Sequence, residues 1–345
     1  PDLYFAVPGL LDTLTGGYQY DRQLLAGLRS LGLQVEHLPL PDGFPAPDAA
    51  ALRATAELFA SLPDGAMVLV DGLAFGVLDE VAQQHAKRLK LIALCHHPLA
   101  LESGLSADTA LQLQVSETRA LAATVAVVVT SPGTAELLSR QFQVASSSIT
   151  VAKPGTMVSS YAPCVGDPLQ LLTVATLTRR KAHDVLIQAL ALLTEFSWQA
   201  HFIGGAEFAP DWVDTLHTLV KDAGLQERIH FHGSIADLQP WYLQADVFVL
   251  PSLFEGYGMA SAEALAHGLP IVAARAGAVP DVVPDTAGIL VPPGDIQALV
   301  TALSSLMTQP DLRKRLQLGA QHAATQLPTW QDTSQQVATL IRSLQ

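Results

Sequence analysis

Short apolar runs alternate with amphipathic stretches along the whole chain. Leu3–Val7, Met67–Asp71, Leu89–Cys95 and Val125–Thr130 are continuous apolar runs, the pattern of strands buried on both faces. Between them, Tyr18–Leu31, Asp79–Leu89 and Thr134–Phe142 repeat their apolar positions at helical spacing. The rhythm restarts at Leu169–Val174 and continues through Ala200–Ile203, Ile229–His232, Val247–Leu250 and Ile271–Ala274. Helical stretches His183–Leu193, Asp211–Ala223, Asp237–Gln244 and Ser261–His267 fall between these runs. The alternation predicts an α/β chain whose parallel, doubly wound sheets carry helices on both faces. Gly155–Pro168 has no period and holds Pro163 and Gly166, so it reads as a linker. Domains are therefore expected at residues 1–163 and 164–328, with a last helix in 329–345 after the Leu327–Pro328 break. No repeat of solenoid length and no low-complexity tract interrupts the pattern.

Composition agrees with two folded domains. The chain has 345 residues, and its 49% hydrophobic and 15% charged content excludes a disordered polymer. A formal net charge of −13 argues against a nucleic-acid partner, whose phosphates need a basic face. Lys87, Arg88 and Lys90 form the clearest basic patch; it reads as a solvated helix end and leaves a peripheral membrane contact open. Neither Cys95 nor Cys164 has a partner at zinc-ligand spacing, so neither a disulfide framework nor a zinc site is expected. Pro1–Leu10 lacks the charged start of a secretory leader, and no apolar run reaches the roughly 18–20 residues of a membrane span. A cytoplasmic location follows as the expectation.

In parallel sheets ligands bind beyond the carboxyl ends of the strands, so chemistry is sought there. The segment Leu250–Pro270 is the richest. A strand ends at Leu250, a loop holds Glu255, Gly256, Tyr257, Gly258 and Met259, and a short helix contains Glu263. Gly268 and Pro270 then stop that helix. Loop amides at a helix start make an anion site, and a carboxylate accepts two hydroxyl hydrogen bonds from a ribose or sugar. Read without function, the same segment is a strand–loop–helix unit with capping glutamates. After the strand Leu169–Val174 come three adjacent cations, Arg179, Arg180 and Lys181, placed to neutralise a diphosphate; a solvated charge run is the plain alternative. Gly16 and Gly17 follow the first strand and would let backbone approach a phosphate closely, or merely form a turn. His96 and His97 follow the strand Leu89–Cys95, with Glu102 and Ser103 further on. Gly204–Gly205 and Gly233–Ser234–Ile235 follow other strands; alone, each is a turn.

The spacing Glu255-x7-Glu263, followed by Ala264-Leu-Ala-His-Gly-Leu-Pro-Ile, resembles the signature of glycosyltransferase family 4, retaining enzymes of the GT-B fold, and the resemblance covers nearly the whole chain. It implies two Rossmann-like domains facing a central cleft. It further implies a donor-sugar contact at Glu255, sugar and phosphate contacts from Gly256 to Met259, and a ribose contact at Glu263. Thr178–Ala182 is similar to the family's phosphate-binding element, which gives Arg180 and Lys181 that role, with Arg179 as the other arginine. There Ala175-Thr176 stands for the family's Gly-Arg and Ala182 for a Gly. Gly16 and Gly17 match the family's N-terminal loop, Gly205 and Ile235 lie near the nucleotide, and His96 aligns with a histidine that contacts the donor sugar, His97 being its rival. The implied activity is sugar transfer from a nucleotide-diphosphate donor, UDP-sugar before GDP-sugar, to a sugar, lipid or small-molecule acceptor. No metal and no cofactor beyond the donor are expected, since no Asp-x-Asp motif is present. Competing readings are a nucleotide-sugar epimerase or phosphorylase on the same fold, a non-catalytic nucleotide-sugar-binding protein, and a nicotinamide dehydrogenase, which lacks its glycine fingerprint.

Overall fold

The computed structural model describes residues 1–157 and 159–345; Val158, inside the expected linker, lies outside the described residues. The chain forms two compact units, one of residues 1–155 with 328–345 and one of residues 156–327. The division falls at Gly155–Thr156 rather than at Pro163. The reason is that Ala162 is buried in the second unit's core, its N–H donating to the His267 carbonyl at 2.8 Å and its carbonyl accepting from Gln317 Nε2 at 2.9 Å.

The first unit holds a six-stranded parallel sheet of β1 (Leu3–Pro8), β2 (Val35–Leu40), β3 (Met67–Asp71), β4 (Lys90–Cys95), β5 (Ala126–Val129) and β6 (Ile149–Val151). Their order is β2-β1-β3-β4-β5-β6. The strands β1, β3 and β5 are buried along their whole length, as their unbroken apolar runs require. Each fully buried Val or Leu there contributes about 1.5–3 kcal/mol of transfer free energy. The winding reverses between β1 and β3, which opens a crevice at their carboxyl ends.

The final helix, Trp330–Leu344, belongs to this unit and packs on helix Gly16–Ser30. It starts at a capping box in which Thr329 and Asp332 satisfy each other's backbone N–H. Thr333, Ser334, Val337, Ala338 and Ile341 form its buried stripe at helical spacing. Gly27 allows the two helices to meet, because a Cβ there would lie 1.9 Å from Ser334 Oγ and 2.7 Å from its Cβ.

The second unit holds β7 (Leu169–Val174), β8 (Trp198–Ile203), β9 (Ile229–Phe231), β10 (Val247–Leu250), β11 (Ile271–Ala274) and β12 (Gly288–Val291), again all parallel, in the order β12-β11-β10-β7-β8-β9. Here the winding reverses between β7 and β10. Apolar clusters fill both faces of the sheet, one around Leu171, Trp198 and Phe202 and one around Leu172, Phe248 and Ala264. Among the described residues no helix is long and apolar enough to cross a membrane.

Two stability predictions follow from this packing. Gly27→Ala inserts atoms into a full interface and should cost about 1–3 kcal/mol in urea unfolding, with Ser334→Gly in that background restoring part of it. An unchanged midpoint would contradict the helix contact. The second concerns acid. His183 is fully buried against Phe202, and neither ring nitrogen has a hydrogen-bond partner. Burial, then the Lys181 charge, lowers its pKa from 6.5 to about 3. An unfolded imidazole takes its proton as pH falls through 6.5 while the folded one cannot, so stability is intact above pH 6.5 and drains away towards pH 3. The melting temperature of the wild type should therefore fall more steeply between pH 7 and about 5 than that of His183→Leu; parallel curves would reject this role.

Candidate functional site

In the second unit the loops after β7 and β10 meet at the reversal of winding. Leu253 N–H donates to the Arg180 carbonyl at 2.8 Å, tying the two loops through backbone. Arg180 Nη1 donates to the Phe254 carbonyl at 3.0 Å and lies 3.9 Å from Glu255 Oε2. Lys181 Nζ donates to Glu255 Oε1 at 2.6 Å. The Glu255 side chain is 8% exposed, and burial alone would raise its pKa. The Lys181 and Arg180 charges outweigh that and hold the carboxyl below its ordinary range, so it is ionised at neutral pH. Arg179 points elsewhere: its guanidinium stacks 4.2 Å over the Trp212 ring. The geometry thus separates the two arginines, and Arg180 is the one beside Glu255.

Backbone details fix this arrangement. Ala182 sits in the left-handed region at φ 54°, the conformation for which glycine is the usual choice, and an alanine there costs about 1–2 kcal/mol. Gly277, at φ 56°, lies against Glu255; a Cβ on it would fall 2.1 Å from the Glu255 carbonyl. Gly256, Tyr257 and Gly258 are buried, and Gly258 at φ 97° precedes helix Met259–Ala266. On that helix Glu263 is half-buried and accepts from the Tyr242 hydroxyl at 2.9 Å. Gly204 N–H donates to the Gly233 carbonyl at 2.9 Å, and Leu177 N–H to that of Gly205 at the same distance, so these turns brace the strand ends. Ile235 and Met259 both pack, partly buried, on this unit's core.

In the first unit the crevice between β1 and β3 holds a different cluster. Gly16 and Gly17 open helix Gly16–Ser30, whose cap is Thr15. A Cβ on Gly17 would lie 3.6 Å from His96 Cδ2, so the glycine and the ring are neighbours. His96 Nε2 is 3.2 Å from Asp21 Oδ1 and 3.2 Å from Asp71 Oδ2, and both aspartates are buried. Burial favours a neutral ring, but the hydrogen bonds and charges of the two carboxylates outweigh it and raise the His96 pKa. Asp71 uses its other oxygen to cap the next helix at Leu73 N–H, 2.9 Å away. Asp21, Asp71 and His96 are the one group of three potential metal ligands among the described residues, their ligand atoms lying within 4.8 Å of one another. His97 stands half-buried beside His96, and buried Glu117 holds the following segment by accepting from Leu99 and Ala100 N–H at 3.2 and 3.4 Å. Ser103 N–H donates to the Glu102 carboxylate at 3.0 Å.

The expected site residues therefore divide. Gly16, Gly17 and His96 belong to the first unit; Arg180, Lys181, Gly205, Ile235, Glu255 to Met259 and Glu263 belong to the second. Asp21, Asp71 and Tyr242 escape the sequence reading. Asp21 carried a signal, since an acid stands on the apolar face of a helix with Leu24, Leu25 and Leu28. The basic patch is largely consumed within its own unit: Arg88 donates to the Leu62 carbonyl at 2.7 Å and Lys90 to that of Leu344, leaving Lys87 exposed.

Residues 168–309 match the family model Glycosyl transferases group 1. D-inositol 3-phosphate glycosyltransferase from Xylanimonas cellulosilytica is 32% identical over 230 residues, which is 61% of this chain and 55% of the relative. The chain spans about half, or less, of the length of the curated relatives it matches. Sucrose-phosphate synthase from Thermosynechococcus elongatus shares the fold with a TM-score of 0.83 at 21% identity, over 99% of both chains. The Anabaena protein HepE, solved with UDP-glucose, gives 0.80 at 19% identity, also over 99% of both. Residues 168–309 thus resemble the group 1 glycosyltransferases, and the chain shares the GT-B fold of the solved structures from end to end.

Proposed function

We propose that the protein moves a sugar, with retention of anomeric configuration, from a nucleotide-diphosphate donor to an acceptor hydroxyl. The observation that carries this reading is the Lys181–Glu255 contact of 2.6 Å with Arg180 beside it, at the reversal of winding in the second unit. Breaking the bond between anomeric carbon and diphosphate piles negative charge on the leaving oxygens. Lys181 and Arg180 stand where they can stabilise that charge, and a loop with glycines at 256 and 258 admits close approach of a phosphate. Glu255, ionised and buried, is suited to orient sugar hydroxyls, and Glu263 to accept from the ribose. With two cations serving the diphosphate, the reading includes no metal ion. His96 enters through the family resemblance; its Nε2 already faces two carboxylates, so a sugar would meet the ring's other edge. HepE's complex with UDP-glucose favours a UDP-sugar, with a GDP-sugar next. The acceptor is a hydroxyl of a sugar, lipid or small molecule.

A thermal-shift screen of UDP-, GDP- and ADP-sugars selects the donor, because a ligand of the folded state raises its melting temperature. With that donor, Lys181→Ala should lower turnover by about 10²–10³, or about 3–4 kcal/mol of barrier. Arg179→Ala should stay within several-fold of wild type, because Arg179 is engaged by Trp212. A slower Arg179 variant would sink the phosphate assignment. Separately, Glu263→Ala should weaken the bare nucleoside diphosphate about tenfold or more in calorimetry, the loss of a charge-assisted hydrogen bond. Equal affinity would remove Glu263 from the donor site.

A further inference from the structure

We infer that Tyr242 is a positioning residue for the nucleotide: its hydroxyl fixes the orientation in which the Glu263 carboxylate meets the ribose. The inference rests on the reading that Glu263 takes the ribose, and it adds a residue that lies outside the Glu-x7-Glu segment.

Tyr242 belongs to the short helix Gln239–Gln244, which precedes β10, and it is 1% exposed. A tyrosine so deeply buried must find a partner for its hydroxyl. It donates to Glu263 Oε2 at 2.9 Å, in preference to the Ala260 carbonyl at 3.4 Å. The ring is held from the sides. His267 stacks on it at 4.7 Å and 12°, and Phe248 lies 6.1 Å away. His267 is itself anchored, with its Nδ1 2.7 Å from the Glu263 carbonyl oxygen. Both ends of Glu263, carboxylate and backbone, are thus tied to one stacked pair of rings. Burial, then the Glu263 charge, raises the Tyr242 pKa well above 10, so the phenol remains a donor throughout the working range.

The consequence is chemical. A glutamate on a helix has three torsions and samples many carboxylate orientations, whereas a vicinal diol is met well by one orientation. Locking Oε2 removes that freedom before the ribose arrives, which is the way preorganisation raises affinity without a new ligand contact. Tyr242 touches no substrate in this scheme and acts through Glu263 alone.

The test compares UDP and GDP with their 2′,3′-dideoxy counterparts by calorimetry, carrying forward whichever base binds more tightly. Wild type should prefer the ribose form by about tenfold or more. Tyr242→Phe keeps the ring and its stack but removes the hydroxyl. It should lose roughly three- to tenfold in ribose-form affinity and bind the dideoxy form as wild type does. In a Glu263→Ala background, Tyr242→Phe should have no further effect on either ligand, which a general loosening of the core would not produce. Equal weakening of both forms, or an undiminished ribose preference in Tyr242→Phe, overturns the inference. A ribose preference that survives Glu263→Ala overturns instead the assignment of Glu263, so the two failures are distinguishable. Melting temperatures of all variants report separately on the core.

Discussion

A buried ammonium–carboxylate contact, Lys181 to Glu255, governs what the second unit can do. The two residues are 74 apart in sequence and come together because the sheet changes its direction of winding between β7 and β10. Taking either charge out of water alone would be prohibitive, and each makes the other's burial tolerable. The Leu253–Arg180 backbone bond and the left-handed Ala182 hold the loops that carry them. A conformation that alanine adopts only under strain is thus maintained directly after the lysine that meets Glu255.

The first unit solves a similar problem with opposite stoichiometry. One imidazole faces two buried carboxylates, Asp21 and Asp71, again at a reversal of winding and again joining groups 75 residues apart. Burial and the neighbouring Asp71 charge push Asp21 upward, while His96 is drawn towards its cationic form. The ring is consequently fixed in place by charge as well as by Gly17 and Tyr20, the latter 5.0 Å away edge-on.

Much of the fold is legible in the sequence because the interior strands are buried on both faces and write unbroken apolar runs. Three strands that the runs do not reveal, β2, β6 and β12, all lie at sheet edges. There part of the strand meets solvent, and β2 reads Val-Glu-His-Leu-Pro-Leu, with Glu36 and Pro39 exposed between buried Val35, Leu38 and Leu40. Gly and Pro mark Gly155–Pro168 as irregular, but irregular backbone can still be packed, as Ala162 is. In the candidate site, Glu255 and Lys181 stand in the loops after β10 and β7 and Glu263 in the helix that follows, so each belongs to a strand–loop–helix segment that sequence alone outlines. The partners of Asp21, Asp71 and Tyr242 lie across the fold, so apart from the acid that Asp21 sets on an apolar helix face, no local spacing encodes their contacts.

The helix Trp330–Leu344 makes the first unit discontinuous, with the whole of the second unit inserted between Gly155 and Pro328. Arg342 reaches the Leu31 carbonyl at 3.0 Å across 311 residues of chain. During synthesis the inserted unit can therefore finish folding while its host still lacks a helix, and the host closes only when the last turn has left the ribosome. Until then the flank of Gly16–Ser30 that packs on Trp330–Leu344 has no cover.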